Sequence, residues 1–225
     1  MQARIGSSRF RAKVLEEVGG WPMLRWTLER VSLAARVDRV ALATSTRAEN
    51  DPLSAIAHDL DVDVYRGSED DVLRRFAEAA REFRAETIVR VCADSPLVAP
   101  EFIDAAIDCY EVERPDLAYN LGPRYGCEFP FGMGCEVFGK EILNNMDAKV
   151  TEPQHREHVT AYLHNHRDEY RISIVPYRPY WVRCNTNIHL TVDLPEDLDY
   201  IRRLASCMQF DTPVNAIVER IRTIK

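Results

Sequence analysis

Runs of apolar, β-favouring residues alternate along this chain with segments whose apolar residues recur every three or four positions. No other feature limits the possible folds as tightly. Arg39-Val-Ala-Leu-Ala-Thr44 reads as a buried strand. Asp51 then caps a helix with Pro52 in its first turn and Leu53, Ile56, Ala57 and Leu60 along one face. Residues 62–65 form a short strand, and Ser68-Glu-Asp-Asp71 has the form of a capping box before a helix that buries Val72, Phe76, Ala79, Ala80 and Phe83. Thr87-Ile-Val-Arg-Val-Cys-Ala93 is an almost continuous apolar strand, and Pro100 opens a helix through Phe102, Ile103, Ala106 and Ile107. Residues 117–120 are the next strand. Strands and helices alternating at this spacing predict a three-layer α/β domain on a mostly parallel sheet. With 46% apolar residues in 225, such a domain buries a core without staples. No linker divides it, so residues 1–225 read as one domain.

The flanking regions fit the same scheme. A helix is predicted over 21–35, with Pro22 at its first position and Leu24, Leu28, Val31 and Ala35 on one face. The glycine-, proline- and aromatic-rich stretch 122–134 reads as an irregular arm beside the site, within 121–138, with a strand at 135–138. Helices are expected at 140–146 and 153–164, strands at 171–175 and 189–192, and closing helices from Pro195 and Pro213.

Composition excludes several classes of function. No run of about eighteen apolar residues is present, so no membrane-spanning helix is expected. The first residues are polar and basic and lack the apolar core of a secretory signal. The six cysteines, Cys92, Cys109, Cys127, Cys135, Cys184 and Cys207, contain no C-x-x-C pair and read as reduced thiols of a cytoplasmic protein. A formal charge of −7 argues against nucleic acid as partner, while leaving room for a local phosphate site. The pairs His155/His158 and His164/His166 lack a third ligand at zinc spacing. Trp21, Trp26 and Trp181 read as core or interface. Glu136 is either a support for a nearby site or an exposed strand residue.

Against this background the run Arg4-Ile-Gly-Ser-Ser-Arg-Phe-Arg-Ala-Lys13 stands out. Small residues let backbone N–H groups approach an anion, serine hydroxyls add donors, and the basic side chains neutralise phosphate charge. Ligands of open parallel sheets bind at the carboxyl ends of strands, and Asp94 and Asp193 each follow a predicted strand. Each alone reads as a helix N-cap, because Pro96 and Pro195 follow closely. Taken with the basic loop, the two carboxylates read as ligands of a hard cation, magnesium, whose shell substrate phosphates complete.

These blocks resemble the cytidylyltransferases that make CMP-activated sugars, and above all the spore coat polysaccharide biosynthesis protein F family. Besides Arg4-x-Gly-Ser-x-Arg-x-x-x-Lys13, the similarity covers Ala43-Thr-Ser-Thr46, Arg66-Gly-Ser-Glu-Asp-Asp-Val-Leu73 and Ile88-Val-Arg-Val-Cys-Ala-Asp-Ser-Pro-Leu97. It continues through Phe129-Pro-Phe-Gly-Met-Gly-Cys-Glu136, Arg156-Glu-His-Val-Thr160 and Leu190-Thr-Val-Asp-Leu-Pro-Glu-Asp197, in register over nearly the whole chain.

The resemblance implies a Rossmann-like domain of the nucleotide-diphospho-sugar transferase, or glycosyltransferase-A, type. It implies a magnesium-dependent enzyme that moves CMP from CTP to a sugar or sugar-acid acceptor and releases pyrophosphate, in surface polysaccharide or glycoconjugate biosynthesis. Arg4 and Lys13 would be catalytic. Gly6, Ser7, Ser8 and Arg9 would hold the triphosphate, and Ser45, Gly67 and Ser68 would lie near the base and ribose. Asp94 and Asp193 would bind Mg2+, and Arg156 and His158 would face the acceptor. A homodimer is the expected assembly. The rival readings are a sugar transferase of the same fold type, which normally carries an Asp-x-Asp motif where this chain has Ala93-Asp94-Ser95, and a non-catalytic nucleotide-binding protein.

Two departures from the family pattern carry expectations. Arg9-Phe-Arg-Ala-Lys13 stands where relatives read Arg-Leu-Pro-Gly-Lys, which changes the stiffness and permitted angles of the loop. Only Met1-Gln-Ala3 precede the loop where relatives have an apolar strand central to the sheet. The first strand is therefore expected to be missing, the natural start to lie upstream, and residues 3–8 to emerge at the carboxyl edge of the sheet.

Overall fold

A computed structural model describes residues 1–6, 9–183 and 188–224. Strands β1 (Glu17–Val18) and β2 (Trp21–Pro22) form a small antiparallel hairpin ahead of helix α1 (Met23–Ser32). The parallel pair β3 (Ala41–Ser45) and β4 (Asp63–Gly67) is linked by α2 (Asp51–His58). After α3 (Val72–Glu82) come β5 (Thr87–Arg90), α4 (Pro100–Glu113), β6 (Leu117–Tyr119), β7 (Glu136–Gly139), α5 (Lys140–Lys149), α6 (Pro153–Glu157) and α7 (Ala161–Asn165). The chain ends with β8 (Ile172–Ile174), α8 (Pro195–Ala205) and α9 (Val214–Thr223).

Strands β5, β7, β6 and β8 lie side by side in that order; β7 is antiparallel to both neighbours and β8 parallel to β6. Strands β5, β6 and β8 therefore run one way, with β7 as the reversed member. Gln2 joins this group to β3–β4 by a parallel bridge to Ala43 on one side and to Cys92 on the other. Its N–H donates to the Val91 carbonyl at 3.2 Å, and its own carbonyl accepts from Ala93 at 3.1 Å. Met1–Ala3 thus hold the position between β3 and β5, and the chain leaves the sheet there at its carboxyl side. The sheet is covered by two groups of helices, α1 packing on α2 and α4, and α3 on α5 and α6.

Four expectations are corrected. The start of the 21–35 helix is used by the hairpin: Gly19 and Gly20 take φ of 58° and 83°, the double left-handed turn that joins two short strands, and Pro22 becomes the residue before α1. The 153–164 helix breaks at His158, because Thr160 turns inward and its Oγ1 accepts from the buried Arg90 at 3.2 Å. Residues 189–192 do not form a strand. Leu190 N–H donates to the Phe131 carbonyl and Val192 N–H to the Asp94 carbonyl, so two different segments share this backbone. The cap of α3 is Asp71, whose Oδ1 accepts from Arg74 N–H, while Ser68 Oγ accepts from Asp71 N–H one step earlier.

An ionic cluster lies buried among the strands. Glu136, on β7, pairs with Arg90 on β5 and with His164 on α7 at 2.8 Å, and it is 1% exposed. Burial opposes ionisation of Glu136, but the Arg90 guanidinium and the His164 ring outweigh it and hold the carboxyl at about 2. Glu136 is a buried strut between strands, not an exposed strand residue.

Candidate active site

The turn after Met1–Ala3 and the turn after β5 deliver their residues to one cavity of about 200 Å³, whose wall includes Arg4, Arg9, Lys13, Arg75, Cys92, Asp94, Glu157 and His158. Lys13 opens a single 3-10 turn, Lys13–Leu15, and is buried. Its Nζ donates to the Val192 carbonyl at 2.6 Å, to Asp94 Oδ2 at 2.9 Å and to Asp193 Oδ1 at 3.2 Å, which uses all three ammonium protons. Arg9 donates to the same Asp193 oxygen at 2.9 Å. Two carboxylates and two cations from three distant parts of the sequence thus meet at one point.

Neither aspartate is a cap. Helix α4 begins at Pro100 after Ala99, well beyond Asp94. Before α8 it is Asp197 Oδ2 that accepts from the Asp193 and Leu194 N–H groups, at 2.9 and 2.8 Å, which leaves the Asp193 carboxylate free to face Lys13. Ala12 sets the approach of Lys13 with a left-handed φ of 58° and donates its N–H to the Ile5 carbonyl at 3.0 Å, closing the loop. This is the position where the family pattern has glycine.

The other expected site residues divide into two groups. Arg4 reaches the cavity and pairs with Glu157, its Nη1 also donating to the Glu69 carbonyl at 3.3 Å. A side chain at Gly6 would sit 3.3 Å from Glu69 Oε1, so the loop runs close against that carboxylate. Ser7 and Ser8 lie outside the described residues. Ser45 is buried at the end of β3, where its Oγ accepts from Asn50 Nδ2 at 2.7 Å. Gly67 ends β4 under the Arg75 side chain, with a Cβ there only 3.0 Å from Arg75 Cγ. The Ser68 carbonyl accepts from Arg75 Nη1. His158 lies on the cavity wall. Arg156 does not: it donates to Asp71 at 2.8 Å, to Asp147 at 2.6 Å and to the carbonyls of Asp147 and Val150, clasping the start of α3 to the α5–α6 turn. Arg11 is exposed and pairs with Glu49 at 3.0 Å.

Three further residues build the site without having been expected there. Asn50 accepts from Ile5 N–H at 2.8 Å and donates to Ser45 and to Glu69 Oε2, so it ties the basic loop to the ends of β3 and β4. Glu69 is buried beside Gly6 and Arg4. Arg75 is 1% exposed, and burial lowers its pKa to about 10. A legible signal existed only for Arg75: it interrupts the apolar stripe formed by Val72, Phe76 and Ala79 on α3.

The donor chemistry fits a hard cation. Asp94, Asp193 and the Val192 carbonyl are oxygen donors within reach of one ammonium. Among the described residues no cluster of three or more histidine, cysteine or acidic side chains is present to hold a metal unaided. A cation at this pair therefore needs oxygens from a ligand, which is how magnesium is held with phosphates.

An open, mainly parallel sheet with a basic turn leaving its middle at the carboxyl edge defines a nucleotidyltransferase of the nucleotide-diphospho-sugar transferase fold. The chain superposes on CMP-3-deoxy-manno-octulosonate synthetase complexed with CTP at a TM-score of 0.65 and 16% identity, covering 90% of this chain and 95% of that one. Residues 1–219 match the cytidylyltransferase family, and the chain belongs to it. It is 32% identical over 209 residues to the spore coat polysaccharide biosynthesis protein SpsF of Bacillus subtilis, covering 91% of this chain and 84% of that protein. A cytidylyltransferase of Leptospira borgpetersenii superposes at a TM-score of 0.89 with 26% identity, covering 98% of this chain and 91% of that one. No helix among the described residues is long and apolar enough to cross a membrane.

Proposed function

We propose that this enzyme transfers CMP from CTP to a sugar or sugar-acid acceptor for surface polysaccharide or glycoconjugate biosynthesis, with Mg2+ as its working cation. The observation that carries the reading is the convergence of Lys13 on Asp94 and Asp193 at the cavity that also receives Arg4 and Arg9. The SpsF relationship supports the sugar-related product class.

In this reading the triphosphate lies along the basic turn. An acceptor oxygen attacks the α-phosphorus in line, the bond to the oxygen bridging to the β-phosphate breaks, pyrophosphate leaves with its charge, and the proton of a hydroxyl acceptor passes to solvent. Lys13 exchanges its carboxylate partners for phosphate oxygens, and Arg4 and Arg9 balance the charge moving onto the leaving group. Asp94 and Asp193 would hold Mg2+, which would neutralise phosphate charge and align the reacting groups. Gly6 and the adjoining Ser7 and Ser8 would lie against the phosphates, while Ser45, Gly67 and Ser68 would border the nucleoside. His158 stays on the acceptor side. Arg156 is assigned to the α3–α5–α6 clasp in place of the acceptor, since its guanidinium is engaged there.

The test is pyrophosphate release from CTP over a panel of octulosonic acids, nonulosonic acids and sugar phosphates, with and without Mg2+. Asp94→Asn and Asp193→Asn should each lower turnover by about a hundred- to a thousandfold, the weight of one such electrostatic contact, while the protein stays folded. Near-full activity of either variant at saturating Mg2+ would remove that carboxylate from the proposal.

A further inference from the structure

The arm carries an arginine, Arg124, whose situation differs from that of Arg4, Arg9, Arg11 and Arg156. Arg4, Arg9, Arg11 and Arg156 each pair with a carboxylate. Arg124, in the 3-10 turn Pro123–Tyr125, has no carboxylate partner among the described residues and is exposed. Its guanidinium lies 4.6 Å from the Phe131 ring centre and 4.8 Å from that of Tyr125, and its Nη2 donates to the Tyr125 hydroxyl at 2.9 Å. Two rings and one hydrogen bond therefore orient a cation that keeps most of its donors unspent.

The contacts from Arg124 run back to the site. The Phe131 ring stands 4.8 Å from the His189 ring, and Leu190 N–H donates to the Phe131 carbonyl at 2.8 Å. His189 Nε2 lies 4.0 Å from Asp193 Oδ2. Gly132 is required in this chain of contacts, because with φ of 94° its Cβ position would fall 2.7 Å from the backbone of Leu190 and Thr191. The arm is thus held against the segment that carries Asp193, and Arg124 is joined to that segment through Phe131 and His189.

We infer that Arg124 is the anchor for an anionic substituent of the acceptor, a carboxylate or a phosphate on the sugar, and so a specificity-determining residue of the arm. The inference rests on the proposed transfer to a sugar-acid or sugar-phosphate acceptor. An arginine pre-oriented by two rings loses little freedom on taking up an oxyanion and offers it a planar pair of donors. That Arg156 is engaged elsewhere leaves the acceptor's charge without the partner expected from the sequence, and Arg124 supplies one.

Three anionic probes, an octulosonic acid, a nonulosonic acid and a hexose 1-phosphate, are titrated into the protein calorimetrically, alone and with CMP. CTP is titrated separately. Arg124→Gln should weaken the best-binding probe on the order of ten- to a hundredfold, the loss of one charge-assisted contact. Arg124→Lys should recover part of this, and the affinity for CTP should not change. Arg183→Gln, which removes an arginine already paired with Glu128 of the arm at 2.8 Å, is the control and should leave all affinities unchanged. The relative response of the sugar acids and the hexose phosphate separates a carboxylate anchor from a phosphate anchor. Equal binding by wild type and Arg124→Gln, an equal loss in Arg183→Gln, or no binding of any probe by a wild type that binds CTP would each overturn the inference. A protein that neither binds CTP nor releases pyrophosphate would instead overturn the proposed function, and the probe titrations without nucleotide would still decide the role of Arg124.

Discussion

Ala12 illustrates how one residue can carry both strain and function. A left-handed backbone costs a residue with a Cβ about 1–2 kcal/mol, and glycine almost nothing. Ala12 accepts that cost because its N–H closes the loop on Ile5 and its turn sends Lys13 inward. Ala12→Gly should therefore raise stability by about 1 kcal/mol, or roughly 2–4 °C in melting temperature for a chain of this size, against the usual preference for alanine. A lower melting temperature would mean that the loop is not strained at this residue. Lys13 and Arg11 differ in the same direct way. Lys13→Ala removes the cation shared by Asp94 and Asp193 and should cost about a hundred- to a thousandfold in turnover. Arg11→Ala removes an exposed pair with Glu49, worth about 0–1 kcal/mol, and should change turnover by less than about fivefold. The reverse ranking would place the phosphate contact on the solvent side of the loop.

At the level of elements, the reversed strand β7 is held by Arg90, Glu136 and His164. Glu136 ionises at about 2 in the folded protein against an ordinary 4.5, so the unfolded chain takes up the proton first as the pH falls. The stability contributed by this carboxylate is complete above pH 4.5 and is lost as the pH falls toward 2. Wild-type melting temperature should drop across that window, and Glu136→Gln should drop less across it. The same substitution leaves Arg90 buried without its counter-charge and should lower stability at pH 7 by about 3–5 kcal/mol. Parallel pH profiles for the two proteins would assign the acid sensitivity to other carboxylates. On the same strand edge, a Cβ at Gly134 would stand 2.1 Å from the Asn120 carbonyl oxygen, a backbone atom that cannot turn aside. Gly134→Ala should accordingly destabilise by about 1–3 kcal/mol, visible as a lower denaturant midpoint with an unchanged slope.

For the molecule as a whole, the basic turn, the ends of β3 and β4 and the Asp94 turn belong to different crossovers of one sheet, so nucleotide binding ties them together. Binding at a hundred times the dissociation constant adds about 2.7 kcal/mol, or roughly 5–11 °C at this chain length. CTP with Mg2+ should give a shift of that size and ATP, GTP and UTP distinctly less. Equal shifts with all four nucleotides would leave a triphosphate site without cytidine preference.

Most of the order of strands and helices, the mainly parallel sheet, and the basic loop and two aspartates as partners in one site were legible in the chain. Each is written in local features: an apolar run, a helical stripe, a basic run beside glycine and serine, a carboxylate just after an apolar run. The hairpin at Gly19-Gly20 was equally local, and the apolar pattern of α1 hid it. What tertiary structure alone decided concerns partners far apart in sequence. That β7 runs backwards, that Arg156 clasps three helices, that Asn50 holds the basic turn, and that Asp197 rather than Asp193 caps α8 depend on which groups packing brings within hydrogen-bond reach. A guanidinium or an amide satisfies its donors with whatever acceptors the fold supplies, and the residue type fixes only the number and geometry of bonds it can make. Periodicity reports which face of an element is buried. The partner that each buried polar group finds is settled only when the layers close.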